Sequence, residues 1–359
     1  MQIVVLEPFY TSSHRQWLDE WATHSSDEII KLTLKGKHWK WRMHGGAVTL
    51  AQEYLKLKLQ PDLIVATDML DLATFLSLTR KETAHIKTVV YFHENQLVYP
   101  WSPTDEDVKL KRDVHYAFIN YSSALVADKV LFNSEYHRRS FLEALPSFLN
   151  AFPDYQNMES IQQIAQKSEV LPIGMDYEKL EQHRSDERFE LPTILWNHRW
   201  EYDKNPDDFF NALHQLQKEN IAFNLVVLGE NYENSPAIFK QVPQLFKKEL
   251  LHFCFAESRA EYIQWLWKCD IVPVTSKQDF FGISTVEAIY CNNHPILPKR
   301  LAFPEHVPEK YLYQSQEELV EQLKEAITNI ESIRNTNYST LVEKYGWKIL
   351  SKQYHDLLN

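Results

Sequence analysis

The segment SKQDFFGISTVEAIYCNNHPILP, Ser276–Pro298, reads as a polar loop, a short helix and a following strand. Ser276–Asp279 form a polar turn, and Gly282 sits where the loop passes into the helix. Ile283, Val286, Ile289 and Tyr290 recur at helical spacing, so one helix face is buried. Pro295–Leu297 then supply a short apolar strand. Asp279 and Glu287 lie eight positions apart, about two helical turns. They bracket a helix whose first N–H groups lack intrahelical partners and can receive a phosphate or sugar hydroxyls. Asp279 is expected before the helix and Glu287 on its exposed side. An ordinary loop–helix joint with a carboxylate at its start accounts equally well for this segment alone.

Working outward, the same alternation fills the chain. Gln2–Leu6, Ile29–Thr33, Leu63–Ala66, Thr88–Phe92, Val130–Phe132 and Glu169–Leu171 read as strands in the first half. Helical patterns separate them at Ser13–Thr23, Val48–Leu57, Leu70–Leu78 and Val114–Ala127. Thr193–Trp196, Asn224–Leu228, Leu251–Phe255, Ile271–Val274 and Pro295–Leu297 repeat the scheme, with helices at Asp207–Glu219, Arg259–Lys268, Gly282–Cys291 and Glu317–Ile330. Alternating strands and helices predict parallel sheets covered on both faces, an α/β class. With 359 residues the chain can build two such cores. The change of domain is expected at the Pro–Gly turn of LPIGMD, Leu171–Asp176.

The second loop of interest is LWNHRWEYDKNP, Leu195–Pro206. An apolar strand ends just before Arg199, and Lys204 follows five residues later. Arg offers a rigid fork and Lys a mobile point charge, a pairing suited to a diphosphate; a solvated surface loop is the plain alternative. Asp203 or Asn205 is expected to cap a helix from Pro206. Gly229 follows LVVL, at the carboxyl edge where open α/β sheets bind ligands.

Lys31–His44 holds Lys31, Lys35, Lys37, Lys40 and Arg42 with no acid, and Trp39 and Trp41 interleave. Gly36 and the Gly45–Gly46 pair bracket it and suggest a mobile loop. Such a stretch suits an RNA backbone plus stacked, unpaired bases; a solvated loop with its tryptophans tucked into the core is the competing reading. The net charge of −11 argues against nonspecific nucleic-acid binding but allows a local basic face. Lys109, Lys111 and Arg112 are the next basic group.

Cys254, Cys269 and Cys291 have no metal-ligand spacing and are expected as reduced thiols in the cytoplasm. MQIVVLEPFY runs directly into a strand without the features of a signal peptide, and no stretch has the apolar length of a membrane span. Walker, GxGxxG, HExxH and GxSxG patterns are absent.

Arg199–x4–Lys204 followed by Asp279–x7–Glu287 resembles the signature of the retaining family-4 glycosyltransferases of the GT-B fold, with Asp279 where that group has Glu. EPFYTSSHRQW (Glu7–Trp17), KHWKWR (Lys37–Arg42), YFHENQLVYP (Tyr91–Pro100), NHRWEYDKNP (Asn197–Pro206) and DFFGISTVEAIYC (Asp279–Cys291) are similar, in order, to the tRNA-queuosine mannosyltransferases. Thr11–Ser12 replace a glycine pair of that family, and side chains there narrow the backbone approach glycine permits.

The resemblance implies two Rossmann-like domains facing across a cleft. Residues 1–174 would form an acceptor domain onto which the helix 345–359 packs back, and residues 175–344 a donor domain. It implies retaining transfer of mannose from GDP-mannose to the cyclopentenediol of queuosine in a tRNA anticodon. His93 would press against the transferred sugar, Asp279 and the Phe280, Phe281 and Gly282 backbone would hold it, and Glu287 the ribose. Arg199 and Lys204 would neutralise the diphosphate, Gly229 counts among the donor-binding positions, and no metal or other cofactor is expected. Ser13, His14, Glu94, Asn95, Gln96, Lys37, Trp39, Lys40, Trp41 and Arg42 are the expected acceptor side. A family-4 transferase acting on a lipid or glycan, or a catalytically silent RNA-binding protein, are the alternatives. The first predicts a basic amphipathic helix, of which no clean example is evident; intact Arg199, Lys204 and Glu287 oppose the second.

Overall fold

The computed structural model describes residues 1–101, 115–230 and 235–358. Lys109, Lys111, Arg112 and the start of the helix expected at Val114 lie outside the described residues. The chain divides into one unit of Met1–Met175 with Trp347–Asn359 and a second of Asp176–Gly346. These divisions fall one and two residues beyond those expected from the sequence.

The first unit holds β1 (Gln2–Tyr10), β2 (Glu28–Lys35), β3 (Leu63–Thr67), β4 (Lys87–Phe92), β5 (Lys129–Phe132) and β6 (Ser168–Val170). They form one parallel sheet in the order β2-β1-β3-β4-β5-β6. Helices on both sides bury the strands, so residues such as Val4, Ile64, Val90 and Val130 are fully enclosed. This is why the strands read as continuous apolar runs rather than as alternation.

The second unit holds β7 (Thr193–Trp196), β8 (Asn224–Leu228), β9 (Leu250–Cys254), β10 (Ile271–Pro273), β11 (His294–Pro298) and β12 (Leu312–Tyr313). Its parallel order is β12-β11-β10-β7-β8-β9. The chain winds outward from β7 through β8 and β9, then returns to β10 on the other side of β7. That reversal is the topological switch point of a doubly wound sheet, where ligands bind at the strands' carboxyl ends. The loops that leave β7 and β10 carry Arg199 and Asp279.

The helix Trp347–Leu358 closes the first unit although it follows the second in sequence. The Trp17 indole donates to the Tyr354 hydroxyl at 2.9 Å, that hydroxyl donates to the Pro172 carbonyl at 2.9 Å, and the Trp347 indole donates to Glu20 at 3.1 Å. Gly174 is required by this docking: a Cβ there would lie 2.3 Å from the Trp347 ring.

One expectation fails in the first unit. Trp39–Leu57 form a single helix, so much of the basic, aromatic stretch is regular structure rather than a mobile loop. Met43 and Ala47 are fully buried on its inner face, while Gly46 approaches Pro8 so closely that a Cβ would sit at 3.0 Å. Lys31 belongs to β2 and pairs with Asp19 at 2.6 Å.

Candidate active site

In the second unit, the Ser276–Asp279 loop is fastened from two sides. Arg300 donates to the carbonyls of Thr275 and Ser276, and Lys277 N–H donates to Asp203 O at 2.7 Å. Gly282 starts the helix Ile283–Tyr290 with φ +86°, a conformation that glycine adopts without steric cost. Phe280 and Phe281 are buried, and the Phe281 carbonyl accepts from His306 Nε2 at 2.6 Å.

Lys204 is not the mobile charge expected from sequence. It is only 7% exposed. Its ammonium meets Gln278 O at 2.9 Å, Asp279 Oδ1 at 2.9 Å and Asp203 Oδ2 at 3.1 Å. Burial alone would lower its pKa, but Asp279 and Asp203 outweigh that and raise it. The reciprocal effect lowers Asp279 against its own desolvation, so the pair is ionised. Lys204 therefore fixes the Asp279 carboxylate, whose Oδ2 is buried and bonds to no atom among the described residues. Arg199 lies on the exposed side of the same loop, 3.2 Å from Glu201. Asn205 takes φ +52° at the helix start without a side-chain cap, while Asp203 is spent on Lys204.

Glu287 is also differently placed: it is 2% exposed rather than on an open face. Arg259 grips both its oxygens and the Tyr262 hydroxyl donates to it at 3.0 Å. Neither partner was anticipated, because both come from a helix, Arg259–Lys268, whose proximity only the sheet topology decides. His198 was missed as well. Its ring bonds Ser284 Oγ through Nδ1 at 3.0 Å, its Nε2 has no partner among the described residues, and burial lowers its pKa to about 4. Gly229, at φ +135°, lets β8 end against this loop: a Cβ would lie 2.3 Å from the His198 carbonyl.

In the first unit, the carboxyl ends of β1, β3 and β4 bring together Glu7, His14, Asp68 and His93. His14 Nδ1 lies 2.9 Å from Glu7 Oε2, and the His14 and His93 ring centroids are 4.2 Å apart. Burial opposes charge on His14, yet the Glu7 carboxylate prevails and raises its pKa to about 9. His93 has no such partner, and burial holds it well below the ordinary histidine value. Its backbone N–H donates to Asp68 Oδ1 at 2.7 Å, while its Nε2 is buried and unbonded among the described residues. Asp68, also missed from sequence, is pushed up to about 8 by burial. The site thus offers one imidazolium and one neutral imidazole side by side. Glu7, His14 and His93 also place one ligand atom each within 4.8 Å of one another, a spacing that a cation could bridge.

Of the expected acceptor residues, Asn95 is fully buried: its Oδ1 accepts from the N–H groups of Leu97 and Val98 and so shapes its own loop, while its Nδ2 is buried without a partner among the described residues. Glu94 and Gln96 are half-buried and bond to each other at 3.0 Å. Ser13 is exposed. The replaced glycine pair has a structural answer: Thr11 fits because residue 36 is glycine, where a Cβ would be 2.2 Å from the Thr11 methyl. Ser12 takes φ +44°, a strained conformation for a residue with a Cβ. Trp39 packs on Tyr116 with centroids 5.1 Å apart, whereas Trp41 is exposed. The Lys40 ammonium lies 5.6 Å from the ring centroids of both Trp39 and Trp101, and Arg42 Nε donates to Lys35 O at 3.1 Å. Lys37 is exposed.

Residues 2–175 match the family model of the tRNA-queuosine alpha-mannosyltransferase N-terminal region. A curated tRNA-queuosine alpha-mannosyltransferase of Drosophila melanogaster is 34% identical over 332 residues, covering 89% of this chain and 85% of its own. The chain belongs to the tRNA-queuosine alpha-mannosyltransferase family. Residues 178–342 match the model for glycosyl transferases group 1, so the second unit is the glycosyltransferase domain of this family member. Among solved structures, one described as trehalose-6-phosphate from E. coli bound with UDP-2-fluoro glucose is similar with TM-score 0.73 and 13% identity, covering 100% of this chain and 99% of that one. Anabaena HepE in complex with UDP is similar with TM-score 0.67 and 15% identity over 100% and 99%. These similarities and the two parallel sheets establish the GT-B fold for the mannosyltransferase-family chain. Among the described residues no helix is long and apolar enough to cross a membrane.

Proposed function

We propose that this protein moves mannose from GDP-mannose, with retention of configuration, to a hydroxyl of the queuosine cyclopentenediol in a tRNA anticodon. The observation that carries this reading is the identity of 34% to the Drosophila enzyme across most of both chains. A cytoplasmic setting is part of the same reading.

In the reaction, the bond from the sugar C1 to the phosphate oxygen breaks and a bond from the acceptor hydroxyl oxygen to C1 forms on the same face. The acceptor proton passes to the leaving phosphate oxygen, so no side chain need act as base. The protein's task is to stabilise charge that grows on the diphosphate. Arg199 supplies that from an exposed position. Lys204 acts mainly through Asp279, whose unbonded Oδ2 is suited to a sugar hydroxyl. The first N–H groups of the helix behind Gly282 add partial positive charge. Glu287, held by Arg259 and Tyr262, presents a carboxylate for the ribose. In the first unit His93 is neutral and can meet a sugar hydroxyl, while the adjacent His14 is cationic. Ser13, Glu94, Gln96 and the unpartnered Nδ2 of Asn95 are the polar groups that orient the acceptor in this reading.

Queuosine-containing tRNA incubated with the protein and GDP-mannose, then digested to nucleosides and measured by mass spectrometry, should yield queuosine heavier by one hexose. Unchanged queuosine, with a product appearing from another nucleotide sugar or on another acceptor, overturns the assignment.

A further inference from the structure

Trp41 is 64% exposed and stands near the start of the helix Trp39–Leu57. An exposed indole on a helix ordinarily samples several rotamers, and ordering it costs entropy. Here the ring lies against residue 45, one turn on. A Cβ at Gly45 would be 2.6 Å from Cε2 and Cζ2 of the indole. Gly45 is therefore the position that lets this ring lie down on the helix. Glycine in a helix interior is unfavourable, so the helix gives up stability at the place where the ring is accommodated. No other ring packs on Trp41 among the described residues, which leaves a face open.

The surroundings indicate what that face receives. In a chain of net charge −11, no acidic residue occurs between Glu28 and Glu53. Lys37, Lys40 and Arg42 fall within two to four positions of the ring or beside it. Arg42 is steadied by Lys35 O, and Lys40 sits between Trp39 and Trp101, so part of this cationic surface is ordered in advance. A flat aromatic face within a basic field matches a base that is unstacked from its neighbours yet still attached to phosphates.

We infer that Trp41, laid flat over Gly45, is the platform on which one unpaired nucleobase of the acceptor RNA stacks, and that Gly45 is a positioning residue for it. This rests on the RNA-acceptor reading above. It separates two roles within the basic stretch: the cations hold the backbone, and Trp41 selects a single-stranded loop over a helix.

The test uses the full-length protein with two synthetic RNAs, an unmodified anticodon stem-loop and a fully paired duplex of equal charge. Trp41→Ala should weaken stem-loop binding about fivefold to a hundredfold and leave duplex binding unchanged, with the same salt slope. Trp41→Phe should recover much of the loss. Gly45→Ala should displace the ring and weaken stem-loop binding without lowering the melting temperature, since alanine favours the helix. Equal stem-loop binding by Trp41→Ala and the parent, or an equal loss on the duplex, overturns the platform. A Gly45→Ala protein that binds like the parent overturns the positioning role. The variant with Lys37, Lys40 and Arg42 all changed to Ala tells the two levels apart. If it loses stem-loop affinity while Trp41→Ala does not, the platform alone fails; if neither loses affinity, this face is not where RNA docks.

Discussion

The Lys204 ammonium and the Asp279 carboxylate are 2.9 Å apart, joining the loop after β7 to the loop after β10 across the switch point of the second sheet. Two residues 75 positions apart in sequence thus form one buried unit. Removing one member of a buried ion pair leaves the other uncompensated, at about 3–5 kcal/mol. Lys204→Ala is therefore expected to lower both turnover and the melting temperature, because it strands Asp279 and Asp203 together. Arg199→Ala should lower turnover about a hundredfold or more, from the loss of about 3–4 kcal/mol of charge stabilisation, with the melting temperature unchanged. Steady-state rates and calorimetry on both variants check this; equal stability of the two proteins contradicts the buried role of Lys204.

The first unit should lose stability in mild alkali. His14 carries a folded-state pKa of about 9 against an ordinary 6.5, despite burial, because of Glu7. A raised histidine contributes fully below about pH 6.5 and its contribution is lost as pH climbs toward 9. Asp68, raised to about 8 by burial, pulls in the same direction, since its ionisation is opposed in the folded state. The melting temperature is expected to fall from pH 6.5 to 9, and His14→Asn should flatten that slope. An unchanged slope in the variant assigns the decline to other groups.

Metal chelation gives a separate check. With Arg199 and the helix start supplying positive charge, transfer should continue in excess EDTA. Activity lost on chelation and restored by Mg²⁺ or Mn²⁺ refutes metal-independent transfer. Restoration by Zn²⁺ alone directs attention to Glu7, His14 and His93.

Simultaneous change of Lys37, Lys40 and Arg42 to Ala should raise the KM for tRNA and flatten the salt dependence of its binding, because fewer counterions are released. Affinity for GDP, measured by calorimetry, should stay as in the parent. A lost GDP affinity indicates that the substitutions disturb more than RNA contacts.

The strands were legible because both faces of each sheet are covered, so TILW and LVVL announce themselves by apolar content alone. The glycine at 282 and the helix after it were legible for the same local reasons. The helix start at Trp39 was not. WKWRMHGG carries charges and two glycines, and its helical form depends on Met43, Gly46 and Ala47 packing against the sheet. Burial of charge was equally hidden. Lys204 and Glu287 look solvent-exposed as letters; Asp203 adjoins Lys204 in sequence, but only the approach of a distant loop and a distant helix gives them Asp279 and Arg259. The pairing of His14 with Glu7 likewise needs a return of the chain over the end of β1.

The docking of Tyr354 on Trp17 has a consequence for the order of assembly. These partners are 337 residues apart, so the first unit cannot complete its core while the chain is emerging from the ribosome. The second unit is one unbroken segment, Asp176–Gly346, so it can fold first even though it is made later. Contacts of such long range are slow to form. Through the intervening seconds of synthesis the side chains Trp17, Trp21 and Tyr91 lack their cover. A nascent chain paused before Trp347 is expected to be the species that chaperones hold and proteases find.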